Sequence, residues 1–124
     1  MRAIVSMKNT LTIYHNPRCS KSRQTLALIE EAGITPNICL YLDTPPSKKE
    51  LNELIKKLAI QPRDLLRKGE DAYKEENLGD KTKTDEELID AMLKHPKLIE
   101  RPIVVKENTA IIGRPPENVL PLLK

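Results

Sequence analysis

The chain has 124 residues, 31% of them charged, with a formal net charge of +3, two cysteines, and three tyrosines as its only aromatic residues. A chain of this length builds one domain around a single core and leaves no room for a second catalytic domain. Charges of both signs are mixed along it, so no basic stripe marks nucleic acid as a partner, and two cysteines do not make a disulfide framework.

The stretch Met1 to Asn9 holds too few consecutive apolar residues for a secretory core or a membrane span. A cytoplasmic protein with no membrane partner is the expectation. Residues 1–9 read as a flexible tail, and Met7 offers an alternative start.

Leu11 to His15 is rich in strand formers and stops at Asn16-Pro17, where proline cannot donate to a ladder, which predicts a first strand over about 11–15. From Ser20 the period changes. Thr25, Leu26, Leu28, Ile29 and Ala32 recur at helical spacing, and Gly33 sits where a left-handed cap falls. The nearly continuous apolar run Asn37 to Leu42 predicts a buried strand covered on both faces, with Cys39 as core packing. Ser47 and Glu50 form a capping box ahead of Leu51, Leu54, Ile55 and Leu58.

From about 59 to 96 the chain reads as helical: Pro62 opens a short helix, Gly69 closes it, and a second capping box lies at Thr84 and Glu87. His95, before Pro96, reads as a helix-terminal residue favoured by the dipole. Residues 101–105 and 110–113 flank a polar Lys-Glu-Asn-Thr turn and predict a hairpin, and Pro116 begins a last helix that Pro121 must break or kink. This order fits an α/β, thioredoxin-like fold: a mixed four-stranded sheet carrying an inserted helical subdomain, all within a single domain over 1–124.

The stretch Tyr-His-Asn-Pro-Arg-Cys-Ser-Lys-Ser-Arg, residues 14–23, carries the chemistry. A helix starting at Cys19 or Ser20 aims the free N–H groups of its first turn at the Cys19 sulfur, and His15, Lys21 and Arg23 are near enough in sequence to add positive charge. An ordinary thiol with a pKa of about 8.5 is about 3% ionised at pH 7, whereas one at about 6.5 is roughly 75% thiolate, a shift needing about 2.7 kcal/mol. Lys21 and Arg23 oppose the helix dipole unless an anion docks there; as surface residues they would simply be solvated.

Ser22 lies three residues after Cys19, on the same helix face, where its hydroxyl could donate to the thiolate and where a dithiol enzyme would hold a second cysteine. A resolving thiol must then come from outside the chain. His15 either makes a structural hydrogen bond at the strand end or tunes the thiol, and Asn16 turns or caps the loop. No spacing of histidines and cysteines suits a metal.

The segments 12–26, 40–51, Arg-Asp-Leu-Leu-Arg-Lys (63–68), His-Pro-Lys-Leu-Ile-Glu-Arg-Pro-Ile-Val-Val (95–105) and Ile-Gly-Arg-Pro-Pro-Glu-Asn-Val-Leu (112–120) together resemble the glutaredoxin-dependent arsenate reductases and their shorter bacterial relatives. The resemblance spans nearly the whole chain. It implies that Cys19 is the nucleophile and that Arg67, Arg101 and Arg114 bind the oxyanion, with His15, Asn16, Ser22 and Arg23 in support. On the residues alone, Arg67 could end a short helix, and Arg101 and Arg114 could be surface residues ahead of prolines. Guanidinium suits tetrahedral oxyanions because it is permanently charged and presents a planar fork of donors.

The resemblance also implies a cis Arg101-Pro102 bond, arsenate or a similar oxyanion as substrate, glutathione as co-substrate, glutaredoxin as partner, and no bound cofactor. A monomer is expected. Relatives best established as resistance enzymes commonly have a small residue before the cysteine and Gly-Thr after it, whereas this chain has Arg18 before it and Ser20-Lys21 after it. Two other readings share these features: an Spx-like regulatory binding module, which commonly carries Cys-x-x-Cys, and a monothiol glutaredoxin-like thiol transferase, whose usual motif is Cys-Gly-Phe-Ser.

Overall fold

The structure, a computed structural model, describes residues 11–123. The proposed tail and the Met7 start lie outside the described residues. These residues form two compact units, one made of 11–40 with 101–123 and the other of 41–100.

The first unit is built on the expected mixed four-stranded sheet, in the order β2-β1-β3-β4. Strand β1 (Leu11–Tyr14) pairs parallel with β2 (Asn37–Cys39) and antiparallel with β3 (Ile103–Lys106), which pairs antiparallel with β4 (Thr109–Ile112). Helix α1 (Ser20–Glu31) makes the crossover from β1 to β2. It stops because Ala32 N–H folds back onto the last carbonyls and Gly33 takes φ +81, a left-handed value that glycine adopts without a Cβ penalty. Leu11, Ile13, Ile29, Val104, Val119 and Leu122 form the core between sheet and helices.

Strand β2 departs from expectation. It has three residues, lies at the sheet edge, and leaves Ile38 49% and Leu40 39% exposed, so it is not a strand covered on both faces. Cys39 is half-buried rather than core. The apolar run was misleading because it straddles the boundary of the units: ladder pairing ends at Cys39, and the buried residue of the run, Tyr41, already belongs to the second unit.

The hairpin is tighter than the four-residue turn expected. Lys106 pairs with Thr109, leaving Glu107-Asn108 as the loop, with Glu107 at φ 55. The last helix is a 3₁₀ segment, Pro116–Leu123, which accommodates Pro121.

The second unit holds helices α2 (Lys48–Leu58), α3 (Asp71–Glu75) and α4 (Asp85–Lys94), with 3₁₀ turns at Pro62–Leu65 and Pro96–Leu98. Both capping boxes form: Ser47 Oγ accepts from Glu50 N–H while Glu50 accepts from Ser47 N–H, and Thr84 and Glu87 repeat the pattern. Leu51, Leu54 and Ile55 of α2 and Leu88, Ile89 and Met92 of α4 are buried. Lys48 pairs with Glu86 and Asp90 across these two helices. The Pro62 helix ends at Leu65 as a 3₁₀ turn rather than running to Gly69, because Leu66 becomes extended and bridges Ile99. Among the described residues no helix is long and apolar enough to cross a membrane.

Gly113, after β4, is the tightest glycine. A Cβ there would lie 2.6 Å from Thr25 Oγ1 and 2.9 Å from Pro102 Cγ, and neither partner is a flexible chain end. Thr25 is fully buried and donates to Lys21 O at 2.8 Å. Gly113→Ala should therefore cost about 1 to 3 kcal/mol, the usual price of overpacking. An unchanged urea midpoint would show that Thr25 and Pro102 yield freely.

Candidate active site

The site grows from the end of β1. His15 N–H donates to Cys39 O at 2.9 Å, continuing the parallel ladder by one bond before the chain turns. Asn16 makes the turn twice over: its side-chain Oδ1 accepts from Arg18 N–H at 3.0 Å, and its carbonyl accepts from Cys19 N–H at 2.9 Å. Arg23 closes the loop from the helix side, donating from Nη1 to Pro17 O at 2.8 Å.

These bonds set Cys19 as the N-cap of α1, with φ −95 and ψ 123. No acidic residue occupies the first helical turn, so nothing there competes with a negative sulfur for the N–H groups. Burial is the largest influence on the thiol and pushes its pKa up. The Ser22 backbone N–H, the Arg101 side chain, and the charges of Arg114 and Arg101 together outweigh burial, and the Cys19 pKa falls below the ordinary thiol value.

The arrangement corrects two expectations. Ser22 assists through its backbone, not its hydroxyl. Its Oγ is fully buried and turned toward the loop, accepting from Asn16 N–H at 3.0 Å and lying 2.6 Å from His15 Nδ1. Burial and the nearby charge of Arg23 push the His15 pKa down, against a smaller opposing effect of Glu30, which disfavours a charged ring, and Nδ1 shares a hydrogen bond with the Ser22 hydroxyl. His15 thus orders the loop rather than adding charge. Nor do Lys21 and Arg23 supply the main charge on the sulfur; that comes from Arg114 and Arg101.

Arg114 is the residue that ties the site together. Its Nη2 donates to Cys19 Sγ at 3.3 Å and its Nε to the Arg101 carbonyl at 2.7 Å. Asn118 Nδ2 holds the Arg114 carbonyl at 2.9 Å, and Gly113 N–H donates to Pro102 O at 2.9 Å. The Arg101-Pro102 bond is cis, as expected, and Arg114-Pro115 is cis too, which the sequence reading did not foresee. Asn118, Thr25 and Gly113 are supports it also missed. Only Gly113, lodged between a strand and an Arg-Pro pair, offered a sequence cue.

Arg67 belongs to the second unit. It does not end a helix: it follows the extended Leu66, donates its backbone N–H to Leu98 O at 2.7 Å, and pairs with Glu100 at 2.5 Å and Glu70 at 3.4 Å. His95 caps the C-terminus of α4, as its position implied, with Nε2 2.9 Å from Glu76. Among the described residues no group of three or more His, Cys, Asp or Glu side chains is placed to hold a metal ion.

A cysteine at the N-terminus of the first helix of a βαβ unit, bonded to the segments that flank a cis-proline hairpin, defines a thioredoxin-like protein. The model of the ArsC family matches residues 14–122. The chain is 52% identical over 118 residues to an uncharacterized protein of Escherichia coli strain K12, covering 94% of this chain and 99% of the relative. It is 50% identical over 115 residues to an Escherichia coli arsenate reductase, covering 93% and 82%. A solved arsenate reductase from Vibrio cholerae superimposes with a TM-score of 0.89 at 53% identity, covering 91% of this chain and 97% of that one. The chain belongs to the ArsC family.

Alkylation of Cys19 should titrate below the ordinary thiol range, and Arg114→Ala should move that titration upward, which rates of iodoacetamide labelling against pH would measure. The same linkage has a stability counterpart. Because the folded thiol ionises more readily than the unfolded one, its contribution is complete above the unfolded pKa and is lost as pH falls through the folded value.

Proposed function

We propose that this protein reduces arsenate to arsenite through Cys19 as its single nucleophile, drawing electrons from glutathione and glutaredoxin. The observation that carries the reading is the Arg114 Nη2 to Cys19 Sγ hydrogen bond of 3.3 Å at the helix N-terminus, which places a permanent cation beside an activated sulfur. An anionic substrate that docks on Arg114 is held next to the atom that attacks it. Arg101, which also acts on the sulfur, is the second proposed oxyanion ligand. Arg67 is the third, carried over from the family resemblance.

The Cys19 thiolate bonds to arsenic, and one arsenate oxygen leaves as water after protonation. Glutathione then reacts with this adduct. Arsenic(V) takes two electrons from the two thiols and departs as arsenite, while Cys19 and glutathione are left joined as a mixed disulfide. A glutaredoxin thiolate attacks the glutathione sulfur and releases the Cys19 thiolate. One feature supports an external reductant: Ser22 stands where a dithiol enzyme places its second cysteine.

The test is consumption of arsenate in a mixture of the protein, glutathione, glutaredoxin, glutathione reductase and NADPH. Cys19→Ser should abolish turnover. Arg114→Lys keeps the charge but loses the fork that bonds both Arg101 O and the sulfur, and should lower kcat/KM about 10²- to 10³-fold. No NADPH oxidation above the Cys19→Ser background would remove the arsenate assignment.

A further inference from the structure

Arg18 and Lys21 flank the nucleophile, one residue before it and two after it, and have no part in the mechanism above. Asn16 Oδ1 accepts from the Arg18 backbone N–H at 3.0 Å, which fixes the stem of that exposed side chain beside Cys19. Lys21 is half-buried in the first turn of α1. Among the described residues neither side chain has a hydrogen bond or an ion pair. Neighbouring cations are already committed: Arg23 Nη1 to Pro17 O at 2.8 Å, and Arg114 to Arg101 O at 2.7 Å and to the sulfur at 3.3 Å.

No acidic residue occurs between Leu11 and Ile29 to balance these charges. A cation in the first helical turn opposes the dipole, so the charge of Lys21 does not favour α1. The charges that lower the Cys19 pKa are those of Arg114 and Arg101, not those of Arg18 and Lys21. Two cations thus stand on either side of the nucleophile in sequence while serving neither the helix nor the thiol. They suit a molecule that joins Cys19 through its own sulfur and carries negative charge on both arms. Glutathione has that form: its γ-glutamyl and glycine carboxylates lie on opposite sides of the sulfur-bearing residue, and its net charge at neutral pH is negative.

We propose that Arg18 and Lys21 bind the carboxylates of glutathione and so select an anionic thiol as the co-substrate that meets Cys19. This rests on the proposed use of glutathione and not on arsenate. Exposed ion pairs contribute modestly, so each cation is worth about 2- to 5-fold in rate toward a carboxylate-bearing reagent, and the preference fades as salt is raised.

The experiment is thiol–disulfide exchange of the full chain at neutral pH with oxidised glutathione, which is anionic, hydroxyethyl disulfide, which is neutral, and cystamine, which is cationic. The Cys19 thiolate attacks one sulfur, the S–S bond breaks, and the other half leaves as a thiolate, so no further reagent enters. The rate is read as mixed disulfide on the Cys19 peptide by mass spectrometry. Arg18→Ala and Lys21→Ala should each slow oxidised glutathione about 2- to 5-fold, and the double variant about tenfold, while Arg18→Lys keeps most of the rate. Hydroxyethyl disulfide should react with every variant at the wild-type rate, which shows the thiol itself unaltered, and cystamine should react faster. In arsenate turnover the double variant should raise KM for glutathione and leave KM for arsenate in place. An unmoved ratio of oxidised glutathione to hydroxyethyl disulfide rates in the double variant, equal slowing of all three disulfides, or a raised KM for arsenate with that for glutathione unchanged would each overturn the proposal. Charge-selective exchange in a protein that does not turn over arsenate would instead remove the reductase reading and leave this one standing.

Discussion

The hydrogen bond pair made by Arg114 is the interaction on which the Cys19 site depends. Nε is anchored on the Arg101 carbonyl, which fixes the plane of the guanidinium, and Nη2 is thereby aimed at the sulfur. A planar fork bonded at one tine has little freedom left at the other. The carbonyl that receives it belongs to the residue before Pro102, so the hairpin positions one arginine through the backbone of another. Asn118 restrains Arg114 from the following segment, and the close approach of Gly113 to Thr25 brings that segment against α1.

A second, smaller assembly keeps the thiol loop in register with the sheet. Ser22 is its centre: one buried hydroxyl serves the Asn16 amide and the His15 ring together. Both partners precede Cys19 and Ser22 follows it, so the loop is pinned from the helix. Replacing a second cysteine with serine at this position therefore does more than remove a thiol. It provides an oxygen that can accept and donate at once, which sulfur does poorly.

Most of the architecture was legible because its signals are local. Ser47 with Glu50 and Thr84 with Glu87 announce α2 and α4 within four residues each, and both boxes are present. The change from strand-like to helical spacing around Asn16 to Ser20 located the loop that carries Cys19. What escaped were properties set by distant neighbours. Whether 37–39 is central or at an edge depends on where β1 finds its other partner, and that partner is β3, near the far end of the chain. The direction of the Ser22 hydroxyl depends on competition between the sulfur and the loop amides. The surroundings of Arg67 depend on Glu100, which a reading of Arg-Asp-Leu-Leu-Arg-Lys cannot see.

The separation between Cys19 and Arg114, 95 residues, bears on when the thiol acquires its character. During synthesis the nucleophile emerges first, while both arginines that act on it follow only after the whole of 41–100. Strand β1 likewise waits for β3 before it can pair on that side. The second unit is encoded as one continuous stretch between them, 41–100, and its capping boxes and helices close over short sequence distances, which favours early formation. Until Arg101 and Arg114 are made, the chain thus lacks the two cations that lower the Cys19 pKa, and the activated thiol is a property of the folded chain.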